Sequence, residues 1–463
     1  MRHSGTFNRI ALNSVQSSPG EGNVPRKSEQ LVRAVGRWSL AAVMINTILG
    51  ASVFGIPSLL AAHLGALSVA GYWIAAVGVA VIAATFAEVA SQFDQAGGPY
   101  LYAGAAFGRF GAIQIGWLLY LSRLAAGAGV ANVLIGYLGQ FVSSANARFP
   151  RVLFLAILIS FVAFINYRGV TGGTRLSNFF TVTKLGLLAV FIASGLAIRW
   201  IHPAIWVSPA TTSPTTADWL DGLILMIYAY GGFESGFLVS GEARNVRRDA
   251  PVALLIAIVS VTLVYMGLQY VVIHTLPDAA ASVKPAADAA QHFAGPLGAR
   301  LVAAWAVVSI YGYFTATMLL PPRLTFAMAE SGDFPGWLAA VHPRFRTPHV
   351  SILFFALLLF AFSIAGSFRW NATLAALSRL LICSSTAAAL PILRRKQPLA
   401  DAFRLPAGNA FVVLALAFTA VLLTRIQRGA GVVLAVVLVL GTLNWLWARG
   451  RASQVLERLP TVD

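Results

Sequence analysis

The sequence predicts an all-α polytopic membrane protein, on three observations. Of 463 residues, 58% are hydrophobic and 11% charged, too little charge to cover a water-soluble globule of that length. Apolar runs recur along the whole chain, about twelve by the criterion of roughly 20 residues per membrane span. Two of those runs carry glycine-rich clusters at mid-span, where a helix in lipid would otherwise keep its backbone hydrogen bonds to itself.

In order, the spans run over 38–62, 68–92, 104–142, 152–167, 177–198 and 220–239, then 252–273, 301–327, 350–364, 372–393, 410–423 and 431–447. Ahead of the first lies a polar tail carrying Arg2, Arg9, Arg26, Lys27, Arg33 and Arg37. With no short apolar region and small-residue cleavage site, it reads as a disordered cytoplasmic tail rather than a signal peptide. Lys and Arg on alternate loops are more numerous on the tail's side, which puts both termini in the cytoplasm and explains the net charge of +17. Basic residues spread over many loops are no nucleic-acid stripe, so no nucleic-acid partner is expected.

Span one contains Asn46-Thr47-Ile48-Leu49-Gly50-Ala51-Ser52-Val53-Phe54-Gly55-Ile56-Pro57, with small residues at its middle and a proline a turn later. Continuous helix is disfavoured there. Span three holds Arg123, about fourteen residues past Arg109 and so roughly 21 Å along a helix. Such depth demands a partner. Span five holds Lys184, about seven residues and some 10 Å inside, near the limit of what a lysine stem can snorkel.

Span six repeats the pattern of span one in Tyr228-Ala229-Tyr230-Gly231-Gly232-Phe233-Glu234. A single cluster of this kind would only let neighbouring helices approach closely. Two clusters five spans apart mark an inverted-repeat transporter whose ligand lies at mid-membrane against the exposed half-helix ends. Spans one to five and six to ten are then the five-plus-five repeats, roughly 38–198 and 220–393. On this division, 1–37 is the tail, 38–398 the inverted-repeat core, 399–448 the last two spans and 449–463 a cytoplasmic tail. Arg323 in span eight and Arg379 in span ten are further intramembrane charges. Cys383, the lone cysteine, reads as buried filler.

Several segments in order resemble the amino acid, polyamine and organocation transporter superfamily, of the amino acid permease type. They are the span-one motif, Phe86-Ala87-Glu88, Gly97-Gly98-Pro99-Tyr100-Leu101-Tyr102, Asn166-Tyr167-Arg168-Gly169-Val170, Thr181-Val182-Thr183-Lys184 and Ser331-Gly332-Asp333-Phe334-Pro335. The strongest runs from Tyr230 to Ser235 and on through Gly241-Glu242-Ala243-Arg244-Asn245 to Pro251. The resemblance implies a secondary active carrier of amino acids in the cytoplasmic (inner) membrane, proton-coupled or exchanging and working by alternating access. Transport of polyamines or other organic amines, or a non-transporting amino acid sensor, is the alternative. A sensor would usually add a signalling domain, for which the tail after Trp447 is short.

Where span one unwinds, N–H groups near Ala51, Ser52 and Val53 sit at the positive end of a half-helix and suit a carboxylate. Carbonyls at the broken end of span six suit an ammonium, so the two ends together form a zwitterion receptor. Gly50, Ile48, Ile227, Tyr228, Tyr230, Gly231 and Phe233 are expected around the ligand, with Thr317 facing it from span eight. The family's usual glycine, small residue, glycine triad is here Gly50-Ala51-Ser52. Either the Ser52 hydroxyl joins the carboxylate contacts, or it narrows the site and the ligand differs from a standard amino acid. With Glu234 belonging to the common motif, a neutral amino acid is the expected substrate.

In relatives that dispense with sodium, a lysine at the Lys184 position stands in for a bound cation between helices one, five and eight, and burial with nearby carbonyls makes it a candidate coupling residue. Arg123, with Glu234 or carbonyls as partner, is a structural clamp or a ligand contact. Glu88 and Glu242 near the cytoplasmic ends are a gate or a solvated rim. No enzyme constellation is visible: the histidines lack metal-ligand spacing and no nucleophile motif stands out. No cofactor and no metal are expected. The partners are a small-molecule amino acid or amine, possible coupling protons and the lipid bilayer, with the protein a monomer or a homodimer.

Overall fold

Inside lipid every backbone N–H and C=O must be paired within its own segment or by a close neighbour, so the apolar runs have little alternative to helix. The computed structural model describes residues 37–93, 98–169, 173–209, 213–234, 246–396 and 403–457. Among the described residues there are fourteen α-helices and no strand. The tail 1–36, the segment 235–245 with Glu242, and residues 458–463 lie outside them.

Span one is divided into α1 (Arg37–Ile48) and α2 (Ser52–Leu64). Spans two to five are α3 (Ser68–Ala90), α4 (Gly98–Leu138), α5 (Arg148–Arg168) and α6 (Gly173–Ile201). The second set begins with α7 (Thr216–Ala229) and α8 (Val246–Thr275). Span eight is also divided, into α9 (Pro285–Thr317) and α10 (Leu320–Glu330), followed by α11 (His349–Ala365) and α12 (Phe368–Lys396). Helices α13 (Gly408–Leu423) and α14 (Arg428–Glu457) complete the described chain. The division of span eight was not expected. Pro321 in the first turn of α10 has no N–H to donate, which suits a helix start and not a helix interior.

Eight helical stretches among the described residues are long and apolar enough to cross a membrane, and His349–Ala365 and Gly408–Leu423 are shorter apolar helices. The difference from about twelve spans has a physical cause. The broken halves α1 and α7 have only 12 and 14 residues, and one long stretch, Ser52–Ala90, joins the second half of span one to span two.

Helices α4 and α9 share an irregularity that fits the repeat. Gly108 lies ten residues after the start of α4 with φ 78° and ψ −172°, and Gly295 lies ten residues after the start of α9 with φ 69° and ψ −170°. A Cβ at either position would meet no atom within 4 Å, so glycine is needed for the backbone angle and not for space. Each helix therefore consists of a short leading piece set at an angle to a long spanning piece.

The bundle is layered by burial. In the spanning window of α4, 83% of residues are buried, against 17% for α14, which puts α4 at the centre and α14 at the edge. Helix α12 packs along α4, α8 along α1, and α2 along α7. Outward-facing Ile157, Phe161, Phe164, Val190, Leu414 and Val439 are exposed and apolar, as a face in contact with lipid tails requires. Asp333 ties three elements at one end of α4. It accepts from Arg109 Nε at 2.6 Å and from the Tyr100 hydroxyl, while Asn444 of α14 donates to its carbonyl at 2.7 Å.

Candidate substrate site between the broken helices

Helix α1 stops at Ile48, and residues 49–51 belong to neither helix before α2 begins at Ser52. The carbonyls freed by the break are recovered by side chains from other spans. Lys184 of α6 donates to the Asn46 side-chain oxygen at 2.9 Å, to the Asn46 carbonyl at 3.2 Å and to the Leu49 carbonyl. It is only 5% exposed, and its ammonium closes the carbonyl end of a half-helix, where positive charge is favoured. These acceptors all belong to span one. The Tyr265 hydroxyl of α8 donates to the Ala229 carbonyl at 2.8 Å, has the Ile48 carbonyl at 3.3 Å and lies 2.9 Å from the Ser52 hydroxyl. One phenol thus bridges both breaks.

Helix α7 ends at Ala229, and Gly231 and Gly232 follow in a turn with Gly232 at φ 115°. Close approach dictates both glycines. A Cβ at Gly231 would fall 1.4 Å from Arg379 Nη1, and one at Gly232 would fall 2.3 Å from the Thr47 carbonyl oxygen. The second distance means that the turn after α7 touches the last turn of α1, at the break in span one. Arg379 of α12 lies at 3.4 Å from the carbonyls of Ile227 and Tyr228 and from Glu234 Oε1. The carbonyl end expected to receive an ammonium therefore carries a resident guanidinium. Glu234 Oε2 accepts from the Gly232 N–H at 3.0 Å.

The remaining residues expected around the ligand are all buried. Ile48, Gly50, Ala51, Ser52, Val53, Ile227 and Tyr228 line or adjoin the breaks. Tyr313, which sequence reasoning missed, lies over Gly50, where a Cβ would come within 2.8 Å of its ring. Tyr230 turns away from the break: its hydroxyl lies 2.7 Å from Thr262 Oγ1 and donates to the Tyr72 carbonyl at 3.2 Å. Phe233 packs edge-on against Phe86 of α3, ring centres 5.4 Å apart. Both aromatics thus face spans two and seven. Thr317 ends α9 at the span-eight break and donates to the Tyr313 carbonyl at 2.7 Å.

Arg123 of α4 reaches Glu234 Oε1 at 3.4 Å, so one carboxylate faces guanidinium groups from spans three and ten. Arg394 donates to both Glu88 carboxylate oxygens, at 2.7 and 2.8 Å, and Glu88 also accepts from the Leu405 N–H at 2.9 Å. That pair binds α3 to α12 and to the segment before α13. At the opposite end of the bundle, His63 of α2 lies 3.4 Å from Asp218 of α7 and 2.9 Å from Arg369 of α12. These contacts draw α2 and α7 to α12. Cys383 is buried. No short sequence motif signals Tyr265 or Tyr313, whose partners are remote in the chain.

A helical membrane protein whose first and sixth spans unwind against each other has the architecture of a secondary transporter. The chain belongs to the amino acid permease family, which it matches over residues 35–444. It is a permease and not an enzyme. Similar proteins include a methylthioribose transporter of Bacillus subtilis (strain 168), 27% identical over 82% of this chain and 85% of that one. The branched-chain amino acid permease BcaP of the same organism is 24% identical over 84% and 87%. Its serine/threonine exchanger SteT is 26% identical over 70% and 75%.

Proposed function

We propose that this chain carries α-amino acids across the cytoplasmic membrane by alternating access, holding the substrate between the unwound segments of spans one and six. The observation that carries the reading is their contact: the space for a Cβ on Gly232 is taken by the Thr47 carbonyl. The backbone of the span-six turn therefore lies directly against the carbonyl end of α1. A substrate carboxylate is held at the N–H end of α2, around Ala51 to Val53, where the half-helix dipole is positive. The Ser52 hydroxyl, engaged by Tyr265, shapes this end more than it binds. Gly50, Gly231, Ile48, Ile227 and Tyr228 line the site, with Tyr230, Phe233 and Thr317 supporting its walls.

Lys184 is the coupling residue. Its protonated ammonium supplies three N–H donors to three acceptors at the carbonyl end of α1, and loss of the proton would leave two donors for those three acceptors and remove the positive charge from that end. Proton binding and the closure of span one are linked in this way, which supports proton coupling; exchange of two solutes without net proton movement uses the same site. The termini are cytoplasmic on the distribution of Lys and Arg. One copy contains both broken helices, so a monomer is sufficient for transport, as a single unit or within a homodimer.

Counterflow into proteoliposomes with a panel of the twenty amino acids and common polyamines tests the reading. Accumulation of one or more amino acids is expected. Accumulation of polyamines alone, or of none of the panel, overturns it.

A further inference from the structure

Arg379 stands where the substrate's ammonium would need to go. This rests on the substrate site proposed for the two breaks, in which that ammonium is received by the carbonyl end of α7. The guanidinium of Arg379, 7% exposed, already spans the Ile227 and Tyr228 carbonyls, and lies so close over Gly231 that even a methyl group there would collide with it. The third carbonyl of that end, on Ala229, is taken by Tyr265.

The hold on Arg379 is loose. Each of its three contacts, to two carbonyls and to Glu234 Oε1, is 3.4 Å long, whereas a charge-assisted guanidinium–carboxylate bond is about 2.7–2.9 Å and commonly forms in pairs. Glu234 cannot supply such a pair without rearranging. Its Oε2 accepts from the Gly232 N–H, and its Oε1 also faces Arg123. Arg379 is thus a buried cation whose acceptors are all at the far edge of hydrogen-bonding distance.

We infer that Arg379 is a specificity-determining residue that selects amino acids bearing a second carboxylate on the side chain. A side-chain carboxylate draws the guanidinium off the α7 carbonyls into a two-point ion pair. The Ile227 carbonyl, and the second lone pair of the Tyr228 carbonyl that also accepts from the Gly231 N–H at 3.1 Å, then receive the substrate's ammonium, while its α-carboxylate meets the N–H end of α2. A neutral amino acid has nothing to draw Arg379 aside and competes with it for the same carbonyls. The favoured substrate is therefore dicarboxylic, and the neutral class expected from the motif alone is disfavoured.

Glutamate and glutamine, nearly equal in shape and different in charge, test this directly in counterflow by the purified protein in proteoliposomes. Glutamate is expected to be taken in preference by at least about tenfold in apparent affinity, since a buried polar group left unmatched by an isostere is strongly selective. Arg379→Gln should abolish that preference, lowering affinity for glutamate by at least about tenfold more than affinity for glutamine. Arg379→Lys should keep part of it. Equal or better transport of glutamine by the unaltered protein overturns the inference, as does an equal fall for both substrates in a folded Arg379→Gln protein. If that variant does not fold, the unaltered protein and Arg379→Lys still decide. Transport of other amino acids with no preference for dicarboxylic ones refutes the role of Arg379 alone, whereas failure with every amino acid refutes the reading of the site itself.

Discussion

Lys184 Nζ lies 2.9 Å from the side-chain oxygen of Asn46 and 3.2 Å from its carbonyl, so a side chain from span five completes the broken end of span one. A helix interrupted in a membrane must return its freed carbonyls to donors. Here the donor is an ionisable group.

Lys184→Ala is expected to reduce uptake driven by a pH gradient by more than about tenfold, because each orphaned buried carbonyl costs on the order of 1–3 kcal/mol. Uptake into vesicles with and without the gradient reads this. Unchanged gradient-driven uptake would remove Lys184 from the coupling scheme.

Tyr265→Phe removes the one hydroxyl common to both breaks. The Ala229 carbonyl and the Ser52 hydroxyl lose a shared partner, and thermal melting should fall along with transport, by an amount corresponding to about 1–3 kcal/mol. Melting within error of the unaltered protein would show that the bridge is dispensable.

Gly231→Ala should abolish transport, since the added Cβ would sit 1.4 Å from Arg379 Nη1. Gly186 of α6 provides the comparison. A Cβ there would meet nothing within 4 Å, and Gly186→Ala should retain transport. Rates measured side by side separate crowding at the site from any general intolerance of alanine.

Glu88→Gln tests the pair with Arg394. With the buried charge lost and one carboxylate oxygen replaced by an amide NH2 that faces Arg394, stability should drop by about 3 kcal/mol, the low end for breaking one partner of a buried pair. A melting curve checks it. If Glu88 belonged to a solvated rim, the curve would not move.

Much of the fold was legible because membrane solvent is so restrictive. Apolar length alone located the spans, and the glycines at 50, 55, 231 and 232 marked the first and sixth as the unusual ones. The divided span eight could have been read from Pro321-Pro322, which no helix interior in lipid accommodates without help. What the sequence did not disclose depends on neighbours distant in the chain. Tyr265 is an ordinary aromatic in an apolar span until α8 is laid beside both breaks, and Tyr313 is unremarked until it covers Gly50. Direction is equally hidden: Tyr228 and Tyr230 are two residues apart, and only the turn after Ala229 decides that the second points at Thr262. Arg123 demanded a partner by its depth, and Glu234 is one that α4 and the turn after α7 bring within 3.4 Å.

The most direct measurement is an experimental structure of the protein with its transported amino acid bound. The ligand is expected between residues 50–53 and 228–231, its α-carboxylate facing the N–H groups that open α2. A ligand seated elsewhere in the bundle, with Leu49–Ala51 and Gly231–Gly232 rewound into unbroken helix, would contradict it.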